Sequence, residues 1–123
     1  MRRLKSFTSA ILSFALLICS LSFLSVTSAN ADEVTIAEGK NIAFNRKKGN
    51  CLACHMIADG KLAGNVGPPL IAMKARYPDK AKLRALIWDA TVRNPNTIMP
   101  PFGRHSILSD KEVDKITDFI HSL

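Results

Sequence analysis

Apolar residues at helical spacing in three segments, breaker-dense loops between them and an absence of strand-period alternation predict a small all-α domain. The first segment carries Val34, Ala37, Ala43 and Phe44 and runs toward Lys48, with Gly49 as its expected stop. A long loop follows. Asp59, Gly60, Gly64, Asn65, Gly67, Pro68 and Pro69 crowd so many breakers together that no helix is expected to cross it. Pro78-Asp79 then opens a second helix through Leu83, Leu86, Ile87 and Ala90, with Trp88 on its flank. Its end is expected before Asn94-Pro95, because a residue preceding proline is pushed out of the helical region. Ser109 and Glu112 form a capping-box pair for the last helix, where Val113, Ile116, Ile120 and Leu123 recur at helical spacing.

Ahead of these elements lie a basic run, Met1-Arg2-Arg3-Leu4-Lys5, an apolar stretch over 11–26 and a small-x-small site at Ala29-Asn30-Ala31. The pattern is that of a secretory signal peptide, 1–31, cleaved after Ala31 to leave 32–123 as one domain in the periplasm. A retained anchor is the other reading, but the apolar run falls short of the about 20 residues that span a bilayer. No membrane contact is therefore expected after cleavage. Cys19 leaves with the signal, and the bulky Ile18 before it argues against a lipid at that position. Loss of Arg2, Arg3 and Lys5 brings the net charge from +7 to about +4. The remaining bases cluster at Arg46, Lys47 and Lys48 and between Lys74 and Arg84, either as solvated faces or as a docking surface for an acidic partner. Nucleic acid is not a supported partner, since no aromatic residues interleave these bases and the compartment is wrong.

Cys51-Leu52-Ala53-Cys54-His55 is the CxxCH pattern of covalent haem attachment. Two thiols on one turn can add to the two vinyl groups of a single haem, and the next residue, His55, then sits beneath the iron as proximal ligand. A redox dithiol would leave that histidine without a role, and a structural zinc site needs four ligands where only His105 and His121 remain. The expected cofactor is one covalently bound haem c. An exported domain of roughly 92 residues without a disulfide needs a staple, and a tethered porphyrin can be that staple.

For the sixth iron position the choices are Met56, Met73 and Met99. Met56 follows His55 directly and cannot reach the other face of the ring, while Met73 reads as core packing. Met99 lies in Asn94-Pro95-Asn96-Thr97-Ile98-Met99-Pro100-Pro101-Phe102-Gly103, a loop stiffened by three prolines, and is the expected distal iron ligand. His/Met ligation closes the iron and raises its potential. The second ring nitrogen of His55 needs an acceptor, for which the carbonyl of Pro68 is a candidate; an ordinary turn is the alternative. His105 and His121 read as surface residues. Arg76, Trp88 and Arg93 are candidates for propionate contacts, though an arginine that only solvates a helix is equally common.

The CxxCH motif, the Gly67-Pro68 turn and a Met-Pro loop before a C-terminal helix resemble the monohaem class I cytochromes c over nearly all of 32–123. A closer resemblance is carried by Gly39-Lys40-Asn41-Ile42-Ala43-Phe44-Asn45-Arg46-Lys47-Lys48-Gly49-Asn50 leading into Cys51, together with Gly67-Pro68 and the full 94–103 run. These resemble the SoxX family of sulfur-oxidation cytochrome subunits. The resemblance implies a small class I cytochrome c fold, with helices packed around one covalent haem. It also implies a heterodimer with a SoxA-like c-type cytochrome acting as an L-cysteine S-thiosulfotransferase, which joins thiosulfate to a cysteine of a SoxYZ-like carrier protein. This chain would then be the electron-transfer subunit, not catalytic alone, delivering electrons to a small soluble acceptor cytochrome. A freely diffusing electron carrier of a respiratory chain is the alternative. For a dedicated subunit, the apolar segment 98–102 with Phe102 is the expected rim of the partner-docking face; shielding the iron from water is its other expected role, and the two can coexist.

Overall fold

Residues 27–123 are described by the computed structural model, and the expected export signal, apart from the helical backbone at 27–31, lies outside them. Four α-helices follow in chain order: α1 (Thr27–Phe44), α2 (Met73–Arg76), α3 (Lys80–Trp88) and α4 (Asp110–His121). Two single 3₁₀ turns, Cys51–Ala53 and Ala90–Val92, complete the regular structure, and the described residues contain no strand.

α1 stops five residues before Gly49. Asn45 terminates it, because its side-chain Oδ1 accepts the Lys47 N–H at 2.8 Å and its carbonyl takes the N–H groups of Lys48 and Asn50, turning the chain aside. The buried face of α1 is also rotated from the expected one. Val34 is 58% exposed and Ala37 faces outward, whereas Ile36, Gly39, Ile42 and Ala43 face the core. Gly39 lies directly against the Lys115 carbonyl of α4, so the backbones meet there and set the rotation of the helix. Phe44 ends the face, packed edge-on to Phe119 with ring centroids 5.9 Å apart.

α3 begins where expected, with Asp79 capping through its carboxylate and the Ala81 N–H at 2.9 Å. It ends earlier than the Asn94-Pro95 signal implies. Asp89 takes an extended conformation and caps the next turn by accepting the Thr91 N–H, so Ala90 belongs to that turn rather than to the helix. α4 carries the anticipated capping box, Ser109 accepting from the Glu112 N–H while the Glu112 carboxylate accepts from the Ser109 N–H at 3.0 Å.

α4 is the centre of the packing. Val113, Ile116, Phe119 and Ile120 meet Leu83 and Ile87 of α3, Ala43 of α1 and Met73 of α2, with Ile57, Phe102 and Leu108 closing the cluster from the loops. Along the α3–α4 seam, Lys80 pairs with Asp118, and Arg84 pairs with Asp110 at 3.0 Å and with Asp114. With Arg76, which donates to the Pro69 carbonyl at 2.8 Å, three of the bases from Lys74 to Arg84 are engaged inside the molecule. Of the candidate docking cluster there, Lys74 and Lys82 alone keep free ammonium groups among the described residues. His121 is half-buried rather than superficial, its Nε2 3.0 Å from the Tyr77 carbonyl, and it ties the end of α4 to the end of α2.

Candidate functional site

The CxxCH residues are presented by a single 3₁₀ turn. Asn50 enters it in the left-handed region (φ 48°), and the Cys51 carbonyl then accepts the N–H groups of Cys54 at 3.2 Å and His55 at 2.9 Å. This winding points Cys51, Cys54 and His55 at one cavity. Cys51 is half-buried, and burial, reinforced by the neighbouring Cys54, pushes its thiol up to about 11. A dithiol oxidoreductase requires the opposite, a thiol depressed toward neutrality. Both thiols border the cavity, where a ligand held in it can reach them.

The loop from Ala58 returns to brace the histidine. Gly67 donates its N–H to the Cys54 carbonyl at 2.8 Å, and the next residue sets its carbonyl, Pro68 O, 2.7 Å from His55 Nδ1. A carbonyl only accepts, so Nδ1 carries the proton and Nε2 keeps its lone pair for a metal. Only glycine fits at 67. A Cβ there would lie 2.4 Å from Cε1 and 2.6 Å from Nδ1 of the imidazole. The sequence pattern points to Pro68 and gives Gly67 no role of its own, although the Gly-Pro pair is the signal that carries it.

Met99 stands on the loop that forms another wall of the same cavity. Its presentation is local chemistry: Asn94 Oδ1 accepts the Asn96 N–H at 3.1 Å, the Asn94 carbonyl accepts the Thr97 N–H at 3.0 Å, and Thr97 Oγ1 accepts the Met99 N–H at 3.2 Å. Asn94 and Thr97 therefore shape the turn that delivers the thioether, a role that motif and spacing do not assign. Met73 also borders the cavity, but it is 2% exposed and its sulfur already accepts a hydrogen bond from Arg76 Nη1 at 3.3 Å. The Met99 sulfur has no hydrogen-bond partner among the described residues. Met56 is exposed and borders no part of the cavity.

The cavity is open on one side and its volume is about 740 Å³, within the range that takes a large organic cofactor; Leu70, Tyr77, Leu86, Ile87, Phe102 and Ile116 supply an apolar lining. A paired set of thiols, an imidazole with a free Nε2 and an unpartnered thioether, all facing an apolar cavity, is the donor set a covalent haem requires. The residues fit the group. Of the propionate candidates, Arg76 and Arg93 border the cavity, although Arg76 already donates to the Pro69 carbonyl at 2.8 Å. Trp88 does not border it; its ring lies against Gly103, with the Arg84 guanidinium 5.3 Å from the ring centroid. His105 is exposed and outside the site. Phe102 is 8% exposed and faces the cavity, which removes it from any docking rim, whereas Ile98, Val66 and Ile107 stand exposed at the cavity border.

Residues 35–120 match the family model described as cytochrome c oxidase, cbb3-type, subunit III. The chain belongs to that cytochrome c family. Among solved structures, the fold of this cytochrome c superimposes on the crystal structure of SoxXA from P. pantotrophus with a TM-score of 0.63 and 26% identity, covering 70% of this chain and 79% of that one. Over 77 residues it is 32% identical to an uncharacterized lipoprotein of Aquifex aeolicus (strain VF5), an alignment covering 61% of this chain. The alignment takes in 37% of that relative, so the chain spans little more than a third of its length. The family, the helical fold and the SoxXA likeness together make this a SoxX-like monohaem cytochrome c, whose family implies haem c as cofactor.

Proposed function

We propose that this cytochrome is the electron-transfer subunit of a SoxAX-like complex in the periplasm. The carrying observation is that His55, oriented through Pro68, and Met99, with its sulfur free, border one apolar cavity. Haem c, when bound, supplies a reversible one-electron couple. Cys51 and Cys54 would hold it covalently, with His55 Nε2 and the Met99 sulfur as the side-chain donors to its iron. The Pro68 carbonyl keeps the imidazole in one tautomer and one orientation, so oxidation and reduction require no ring motion. The apolar lining excludes water, and a thioether is a weak donor that favours the reduced iron. With His55 and Met99 both given to the iron, the chain would carry electrons and leave no place for a substrate at the metal.

The SoxXA likeness supports a SoxA-like c-type cytochrome as the partner. In this reading the heterodimer acts as an L-cysteine S-thiosulfotransferase, coupling thiosulfate oxidatively to a cysteine of a SoxYZ-like carrier, with the chemistry at the partner. This subunit takes up the electrons released there and passes them one at a time to a small soluble cytochrome. Exposed Val66, Ile98 and Ile107 at the cavity border give it an apolar contact surface near the cofactor. Affinity purification of the tagged protein from thiosulfate-grown cells tests the assignment. Recovery of a stoichiometric second c-type cytochrome is expected.

The description of the family as an oxidase subunit favours one second reading, a freely diffusing carrier serving a respiratory oxidase. Purification as a monomer that reduces an oxidase but gains nothing from thiosulfate-oxidising extracts would select it.

A further inference from the structure

The segment that carries Met99 leaves the core at Asp89 and returns to it at Arg104. Its two ends meet. The Trp88 carbonyl accepts the N–H groups of Gly103 at 3.1 Å and Arg104 at 3.3 Å. Beside those bonds, Arg104 Nη1 reaches Asp89 Oδ2 at 3.2 Å and Thr91 Oγ1 at 3.4 Å, while the other oxygen of the same carboxylate accepts from the Thr91 backbone at 3.0 Å and from its hydroxyl. The Asp89 side chain is 8% exposed and that of Arg104 60%. Close approach is possible because residue 103 is glycine: a Cβ there would lie 2.0 Å from the Trp88 ring.

Between these ends the bonds of the stretch 94–99 are local, and those that leave the segment lie at its far end, where the Pro101 and Phe102 carbonyls accept the N–H groups of His105 and Leu108, each at 3.0 Å. Residues 95–100 make none to any part of the described protein outside the loop; Thr97 and Asn94 bond within it. The thioether is consequently placed by the stiffness of the loop, by the buried Phe102 and by the closure at the two ends. A weak axial ligand is sensitive to that closure, because loosening the ends increases the fraction of time in which the sulfur stands away from the metal.

We infer that Asp89 and Arg104 form a clasp that positions Met99, and that its strength sets how rarely the distal ligand dissociates. Both are positioning residues. The inference rests on Met99 being the distal ligand, and the experiment separates the two.

Carbon monoxide binds the reduced holoprotein only when the sulfur leaves, so its binding rate reads ligand dissociation directly. The rate is measured for wild type, Arg104→Ala, Arg104→Lys, Asp89→Asn and Met99→Ala, with Lys115→Ala as a control that breaks the Lys115–Glu38 ion pair on α4 and α1. Arg104→Ala is expected to speed binding about three- to tenfold, in line with the loss of a partly buried ion pair. Arg104→Lys is expected to recover most of the wild-type rate, and the control to match wild type. Asp89→Asn follows Arg104→Ala; should it fail to fold, Arg104→Ala against Arg104→Lys decides. Wild-type rates in the clasp variants, with fast binding in Met99→Ala, overturn the clasp and leave the ligand standing. Slow binding in Met99→Ala overturns the ligand assignment and the clasp with it.

Discussion

Gly67, His55, Pro68 and Met99 carry the site at the level of single residues. Gly67→Ala forces a Cβ to 2.4 Å from the imidazole, so either the ring or the loop must move. The expected result is a displaced His55–Pro68 contact, a cost of about 1–3 kcal/mol and reduced haem incorporation, read from the ratio of haem to protein in the purified variant. Met99→Ala is expected to leave haem attachment intact and to open the sixth iron position. The weak red-edge absorption of a sulfur-ligated oxidised iron should vanish and the potential fall; persistence of that band would transfer the role to Met73. The CxxCH run and the Met-Pro loop are both legible in the sequence, because each packs its chemistry into a few consecutive residues. What sets Met73 apart from Met99 in the structure is a contact, the Arg76 hydrogen bond to the Met73 sulfur, that no local pattern encodes.

Among the elements, α4 is the one on which the others depend. Ile116 is 1% exposed, belongs to the core cluster and borders the cavity, so Ile116→Ala should cost about 2–5 kcal/mol of stability, measured by thermal or denaturant unfolding of the holoprotein. Its N-terminus is pinned by Lys48, which donates to Glu112 and, with the Ser109 N–H, holds that carboxyl well below its ordinary 4.5, at about 2. A lowered folded-state pKa means that this contribution is complete above about pH 4.5 and disappears as the pH falls toward about 2. The pair is solvent-accessible, so the effect is modest, about 1 kcal/mol or less. Glu112→Gln should therefore unfold at lower temperature than wild type at pH 7 and converge with it near pH 2. A gap that stays constant across that interval would show that the capping geometry, rather than the charge, is what matters. The capping box itself is readable from Ser109 and Glu112 because it is a short local code; Lys48 is 64 positions away from Glu112 and is not.

At the scale of the whole molecule, experiment decides the partner and the processing of the N-terminus. Ile98 is 74% exposed on the loop that carries Met99, so Ile98→Asp should weaken association with a SoxA-like cytochrome by about tenfold or more while leaving the iron spectrum unchanged. Equal affinity in analytical ultracentrifugation would place the docking face elsewhere. Phe102, the residue the sequence pattern suggests for that face, is a wall of the cavity, and its truncation should lower stability before it touches association. Intact mass of the protein recovered from cells tests the N-terminus: a chain starting at Asp32 is expected, and a lipid-modified species starting at Cys19 would overturn cleavage after Ala31.

The sequence by itself determined the helical class, the haem motif, the breaker-rich loop and the cap of the last helix, since each depends on residues close together in the chain. Only the tertiary structure decided which face of α1 is buried, why α3 stops at Trp88, and that Lys80 and Arg84 are matched to the aspartates of α4 rather than left for a partner. It also decided that His121 bonds Tyr77, that Trp88 serves Gly103 rather than the cavity, and that Asp89 and Arg104 close the loop of Met99. The physical reason is the same in each case. These contacts join positions far apart in the chain, and their partners are chosen by how the helices pack, which no local periodicity, cap or motif records.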